Sequence, residues 1–163
     1  MDIKFERTND AAYIYASLTD PKVWRMSADD NTPEKEFYFV PTDNENILWI
    51  KAGDFGLFML CKQDTTTYEV HVALNKYSLG TAEQIAKDGV RWAFGSLPDC
   101  RTLVARIPSF NHVAMGLAAR VGFKFYGVDQ GLFVKDGVGH DMHVYILKKE
   151  DICHQQQERQ QQQ

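Results

Sequence analysis

Apolar and polar positions along this chain follow two different periods. Residues 3–7 (Ile-Lys-Phe-Glu-Arg) alternate and predict a short opening strand. Asn9 or Asp10 can cap a helix that runs to Leu18, and Asp20-Pro21 pairs a capping acceptor with a proline at the first helical position. Residues 36–40 (Glu-Phe-Tyr-Phe-Val) read as extended, with Pro41 ending them. Two apolar runs, 47–52 and 57–62, flank Gly53-Asp54-Phe55-Gly56 and predict a hairpin. A third strand follows over 68–74. It carries Tyr68, Val70, Val72 and Leu74 on one face and Glu69, His71 and Ala73 on the other.

The period then becomes helical. Ala82, Ile85, Ala86, Gly89 and Ala93 line one side of a helix over 80–94. Residues 103–107 form another strand, ended by Pro108. A second long helix spans 111–121, with Val113, Ala114, Leu117, Ala118 and Val121 inward. Strands over 123–128 and 143–148 close the chain, joined by a glycine-rich loop. The order β-α-α-β-β-β-α-β-α-β-β is a mixed α/β (α+β) pattern, neither a doubly wound sheet nor a bundle. No internal repeat is visible.

The 163 residues predict one domain, residues 1–152, followed by a glutamine-rich tail, residues 153–163. From His154 onward the tail offers no apolar residue to a core, so it is expected to be a solvated terminus, with a docking role as the alternative. Hydrophobic residues make up 44% and charged ones 25%, ordinary for a globular protein. No apolar run reaches the roughly 18 residues of a membrane span, and residues 1–7 lack the apolar stretch of a signal peptide. Membrane partners are therefore not expected. Cys61, Cys100 and Cys153 are too widely spaced for a disulfide framework or a metal-ligand pattern, which fits a reducing, cytoplasmic setting. A formal net charge of −4 argues against general nucleic-acid binding. Trp24, Trp49 and Trp92 lack the interleaved basic residues of a base-stacking platform and read as core.

Candidate chemistry concentrates in two stretches. The first, Leu74 to Ala82, takes a strand through a small-residue loop into a helix. Free N–H groups and the positive dipole end at a helix start suit phosphate, and Gly80 allows close backbone approach. The second follows the next strand: Asn111-x-x-Ala114, then Gly122-Phe123 eleven residues after the Asn. With His71 in the strand, Tyr77-x-x-Gly80-x-Ala82 as the loop and the closing Asp136-Gly137…Asp141-x-His143-x-Tyr145-x-Leu147, the chain resembles the GNAT superfamily of N-acetyltransferases. It looks closest to the branch of the ribosomal-protein N-terminal acetyltransferases. The likeness covers about residues 68–149 well and residues 1–67 in outline. A looser likeness is to acetyltransferase-like proteins of tailed bacteriophages.

The resemblance implies a central, mostly antiparallel sheet with two splayed parallel strands flanked by helices, and acetyl-CoA as cofactor. In that reading Tyr77, Ser78, Leu79, Gly80, Thr81 and Ala82 hold the pyrophosphate through backbone N–H groups. The strand edge at Val72 and Ala73 pairs with the pantetheine arm, and Asn111 hydrogen-bonds it from the far side. Two departures stand out. Tyr77 occupies the loop position where the family usually has Arg or Gln. Ala118 and Ala114 occupy the positions where the family places a tyrosine or serine proton donor; Tyr126, Ser109 and His112 are nearby in sequence, but none occupies the matching position.

An amine must be neutral to attack a thioester, so a base within hydrogen-bond reach is useful. Glu69 and His71 share one strand face and are the candidates for that role, with Tyr126 as a candidate donor. His140 and His143 flank Asp141 without a wider ligand set, so no metal is expected. The reading is acetyl transfer to an amine (a protein N-terminus, a lysine or a small amine) by direct attack in a ternary complex. The rival is an acetyltransferase fold that has lost catalysis and serves as a structural or assembly component, as in a bacteriophage virion. A regulatory module that binds acyl-CoA without turnover stands between them.

Overall fold

Two aspartates start the first helices as their spacing predicts. In the computed structural model, which describes residues 2–76 and 79–152, helix α1 (Ala11–Leu18) opens with Asp10 accepting the N–H groups of Ala12 and Tyr13, each at 3.1 Å. Helix α2 (Pro21–Ser27) opens with Asp20 accepting from Lys22 at 3.0 Å, and its proline needs no donor at that position. The longest helix, α3 (Leu79–Ser96), extends slightly beyond both predicted ends. Helix α4 (His112–Val121) is capped by Asn111. It stops at Gly122, whose φ of 113° lets Gly122 and Phe123 bond back to Ala118. Tyr77, Ser78 and the tail 153–163 lie outside the described residues.

The strands are β1 (Phe5–Arg7), β2 (Ile47–Ala52), β3 (Gly56–Lys62), β4 (Thr67–Leu74), β5 (Thr102–Pro108), β6 (Lys124–Lys135) and β7 (Val138–Lys148). Among the described residues they form one seven-stranded sheet in the order β1-β2-β3-β4-β5-β7-β6. Every neighbouring pair is antiparallel except β4 and β5, which are parallel and connected through α3.

Period-two alternation divides the core into two layers. Ile50, Phe58, Leu60, Tyr68 and Leu103 face α3 and α4, where Ile85, Val90, Phe94 and Val121 cover them. Trp49, Leu57 and Ala73 face the opposite way and are covered by Ile14 of α1 and by Val40. Gly89 allows α3 to lie close to the sheet: a Cβ there would sit 2.8 Å from the Phe58 ring.

Two expectations are corrected. Residues 36–40 are extended only in part: Lys35–Phe37 makes a 3₁₀ turn, and the segment from Tyr38 onward is extended without a strand partner. Val40 is buried while Phe37 and Phe39 are exposed, as befits a surface segment lying over α1 and α2. The glycine-rich loop between the last strands is also strand. Asp136 (φ 52°) and Gly137 (φ 75°) make a two-residue turn, so the arms run to Lys135 and from Val138.

Candidate functional site

β4 and β5 separate halfway along. Thr67 pairs with Thr102, Tyr68 with Leu103 and Glu69 with Val104, and there the register ends. β4 nevertheless stays paired with β3 as far as Leu74, and β5 with β7 as far as Pro108. The two strands are therefore held on their outer edges while a wedge opens between residues 70–74 and 105–108. Alternate N–H and C=O groups along these extended stretches point into the wedge without a strand partner, a backbone edge that calls for hydrogen bonds. Val72 is 40% exposed although Tyr68 and Leu74 of the same face are buried, whereas Ala73 is covered by the α1 layer.

The start of α3 follows β4 closely. Gly80 is exposed, and a Cβ built on it meets nothing within 4 Å, so its backbone is open to an incoming group. Thr81 is half-buried, and Ala82 turns its methyl into the core. An eighteen-residue helix beginning at Leu79 directs the positive end of its dipole toward this region. Asn111 stands at the start of α4, after β5. Its Oδ1 accepts from the N–H of Ala114 at 3.1 Å, so capping occupies the oxygen and leaves the amide hydrogens as the donors it can offer. An unpaired strand edge, an accessible helix start and a side-chain amide fit a ligand with a phosphate end and an amide-bearing arm.

On the α1 face, four charged or titratable side chains form a chain of contacts. Nε2 of His71 lies 3.0 Å from Oε1 of Glu69. Oε2 of Glu69 accepts from Arg106 at 2.5 Å, and Nε of Arg106 lies 3.5 Å from Asp129. The Glu69 side chain is only 15% exposed, that of His71 44%. Burial pushes the Glu69 carboxyl upward, but hydrogen bonds and charge from His71 and Arg106 outweigh it and hold it below the usual carboxylate range. Opposite Glu69 on β3, burial and that same carboxylate push the Cys61 thiol up. Burial takes Cys100 up to about 11, so neither is an activated thiol.

The outer part of the β6–β7 hairpin is tied to the end of α2. Asp30 accepts the N–H groups of Asp136 and Gly137, each at 2.8 Å, and donates its own N–H to the Val134 carbonyl. Lys135 Nζ donates to the carbonyls of Arg25 and Ala28. A register shift between Asp129 and Phe133, with Gly131 at φ 61°, precedes this outer part of the hairpin. The early helices and the 131–141 segment thus meet.

Among the sequence candidates, the structure brings Glu69 and His71 together, with Val72 and Ala73 beside them on β4. Tyr126 is an exposed residue at a bulge of β6, and no hydrogen bond or ion pair among the described residues joins it to Glu69 or His71. Ala118 is packed in the core. His140 packs edge-on against Phe110 and His143 lies tilted against Phe125, and no cluster able to hold a metal occurs among the described residues. Arg106 and Asp129 were missed. A charge in the otherwise apolar Leu-Val-Ala-Arg-Ile-Pro run is a readable signal for Arg106. Asp129 carried none, because the β6 irregularities decide where it falls.

A mostly antiparallel sheet, one parallel pair that opens, and helices on both faces make this the GNAT acetyltransferase fold. No protein-family model matches the chain, and no curated protein matches its sequence. Similar solved structures include the spermidine N-acetyltransferase of Vibrio cholerae, in complex with CoA and spermine. It has a TM-score of 0.73 and 12% identity over 91% of this chain and 96% of that one. The ribosomal-protein-S5-alanine acetyltransferase of Vibrio fischeri has a TM-score of 0.69 and 11% identity, covering 91% and 93%. A GNAT-family acetyltransferase of Bacillus anthracis has a TM-score of 0.66 and 16% identity, covering 92% and 99%.

Proposed function

We propose that this protein is an acetyl-CoA-dependent N-acetyltransferase. The observation that carries this reading is the open wedge between β4 and β5 beside the accessible start of α3. In this reading the backbone of Leu79 to Ala82, with Tyr77 and Ser78 before it, holds the pyrophosphate. The free edge at Val72 and Ala73 and the amide of Asn111 hold the pantetheine arm. Acetyl-CoA supplies a thioester whose carbonyl carbon bonds the amine nitrogen as the C–S bond breaks and sulfur departs with the electron pair. The chain's own residues orient that arm, keep water from the buried side of the wedge, and present Glu69 and His71 on the face bounded by α1 and α2. An amine acceptor is supported by solved relatives of the fold named for spermidine and for a ribosomal protein's alanine.

The test is calorimetric titration with acetyl-CoA and CoA, followed by acetyl transfer to peptides with free N-termini, lysine peptides and polyamines. Saturable binding together with transfer to one class supports the reading; absence of binding at millimolar acetyl-CoA removes it. A second reading, an acetyltransferase fold without turnover, draws on Ala114 and on Ala118, whose methyl is part of the core. Tight binding with no transfer to any amine favours it, including a role as an assembly component such as a virion protein.

A further inference from the structure

The side chains along the free stretch of β4, residues 70–74, are Val-His-Val-Ala-Leu; those across the wedge, residues 105–108, are Ala-Arg-Ile-Pro. Arginine keeps its proton at any working pH, so within these two stretches His71 is the one side chain that can exchange one. Building on the acetyl-transfer reading above, we propose that His71 is the base that receives the acceptor amine's proton, and that Glu69, clamped by Arg106, is a positioning residue rather than the base itself.

The geometry separates the two roles. A carboxylate accepts and cannot donate, so the 3.0 Å contact with Glu69 Oε1 places the imidazole hydrogen on Nε2 and leaves the lone pair on Nδ1. Nδ1 makes no hydrogen bond among the described residues, and the side chain is partly open to solvent. Glu69 has the opposite properties. Both of its oxygens are engaged, it lies in the paired part of β4, and its affinity for a proton is reduced by its neighbours. Asp129 flanks the other side of Arg106 and completes the set.

Charge counting points the same way. Glu69, Arg106 and Asp129 together carry one net negative charge, which an imidazolium at His71 neutralises. Among the described residues, Cys61 on β3, Tyr38 from the segment over α1 and Tyr13 of α1 share this layer and are pushed toward their neutral forms by burial, while Tyr15 donates to the Lys35 carbonyl and Lys51 is set over the Tyr13 ring. In the step itself, an N–H bond of the acceptor ammonium breaks and its electron pair stays on nitrogen, while the proton joins the Nδ1 lone pair. The imidazolium returns that proton to bulk water before the next cycle.

The experiment uses the full chain and three readouts: the pH dependence of kcat, acetyl-CoA affinity by calorimetry, and the His71 tautomer by long-range ¹H–¹⁵N NMR. His71→Gln is expected to lower kcat by about 10²- to 10⁴-fold and to abolish its acid-side limb, with acetyl-CoA affinity unchanged. His71→Ala should recover part of its rate with added imidazole. Glu69→Gln should lower kcat but keep the limb, and should convert a single Nε2–H tautomer into a mixture. Retention of rate and limb in His71→Gln, or a wild-type imidazole protonated on Nδ1, overturns the assignment of His71 alone. Acetyl-CoA binding without transfer to any amine also overturns it and leaves the cofactor site standing. Failure of the wild-type protein to bind acetyl-CoA overturns the acetyl-transfer reading and this one with it.

Discussion

Nε2 of His71 and Oε1 of Glu69 stand 3.0 Å apart on the same face of β4, two residues from each other, and the end of the parallel pairing falls between them. Glu69 is the last residue of β4 matched to β5; His71 is in the stretch that has lost that neighbour. One partner is therefore held by the sheet and by Arg106, while the other, in the stretch that borders the wedge, keeps a ring nitrogen with no hydrogen bond among the described residues. A strand alternation that merely puts two side chains on one face becomes, through the parting of two strands, an anchored group beside an accessible one.

The loop at the start of α3 is tested by Gly80→Asp. The new Cβ meets nothing within 4 Å, and an acidic residue in the first turn of a helix is favourable, so the melting temperature should be unchanged or slightly raised. Acetyl-CoA affinity should fall at least tenfold through like-charge repulsion with phosphate. Calorimetry and a thermal melt on the same sample check both halves, and unchanged affinity would remove Gly80 from the site.

Acid should erase part of what Glu69 contributes to stability. Its folded-state pKa lies below the ordinary value, so that contribution is complete above the usual carboxylate range and disappears as pH falls through the lowered one. The melting-temperature gap between wild type and Glu69→Gln should be largest near neutrality and close as pH falls below about 4. A gap independent of pH from 7 to 3 would contradict the ion-pair account.

Asp30→Ala removes two hydrogen bonds from the outer part of the β6–β7 hairpin and leaves those made by Lys135. For exposed bonds to a carboxylate the cost should be about 1 kcal/mol, a fall of about 2–4 °C in melting temperature for a domain of this size. Amide exchange at Asp136 and Gly137 should quicken, while acetyl-CoA affinity stays the same.

Gly89→Ala sets helix propensity against packing. Alanine favours the helix by about 1 kcal/mol, yet its methyl would lie 2.8 Å from a buried Phe58 ring that Phe5 already meets edge-on. Overpacking costs of about 1–3 kcal/mol should prevail, so the variant should melt below the wild type in denaturant or heat.

Sequence reasoning located the cap at Asp20, narrowed the first to Asn9 or Asp10, and placed the start of α4 at Asn111, its stop at Gly122 and the strand bearing Glu69 and His71, because each depends on neighbours a few residues away. It placed Val72 with the core residues of its face and stopped the last two strands short. Whether a position on β4 is covered depends on what happens to β5, more than thirty residues later. The extent of the final hairpin was hidden because Gly131, Gly137 and Gly139 read as loop. Gly137 does sit in the tight turn, but Gly131, at an irregularity of β6, and Gly139, paired with Val134, continue the strands on either side of it.

The sequence by itself determined the order of elements, their capping and the faces of each strand, since period, cap chemistry and turn chemistry are local properties of the chain. The tertiary structure alone decided where β4 and β5 part, that Arg106 and Asp129 join Glu69, and that Asp30 fastens a hairpin more than a hundred residues away. These depend on which strands become neighbours, on register and on bulges. They are set by the best joint burial of two apolar layers and the pairing of backbone groups, quantities that belong to the assembled sheet and to no single segment.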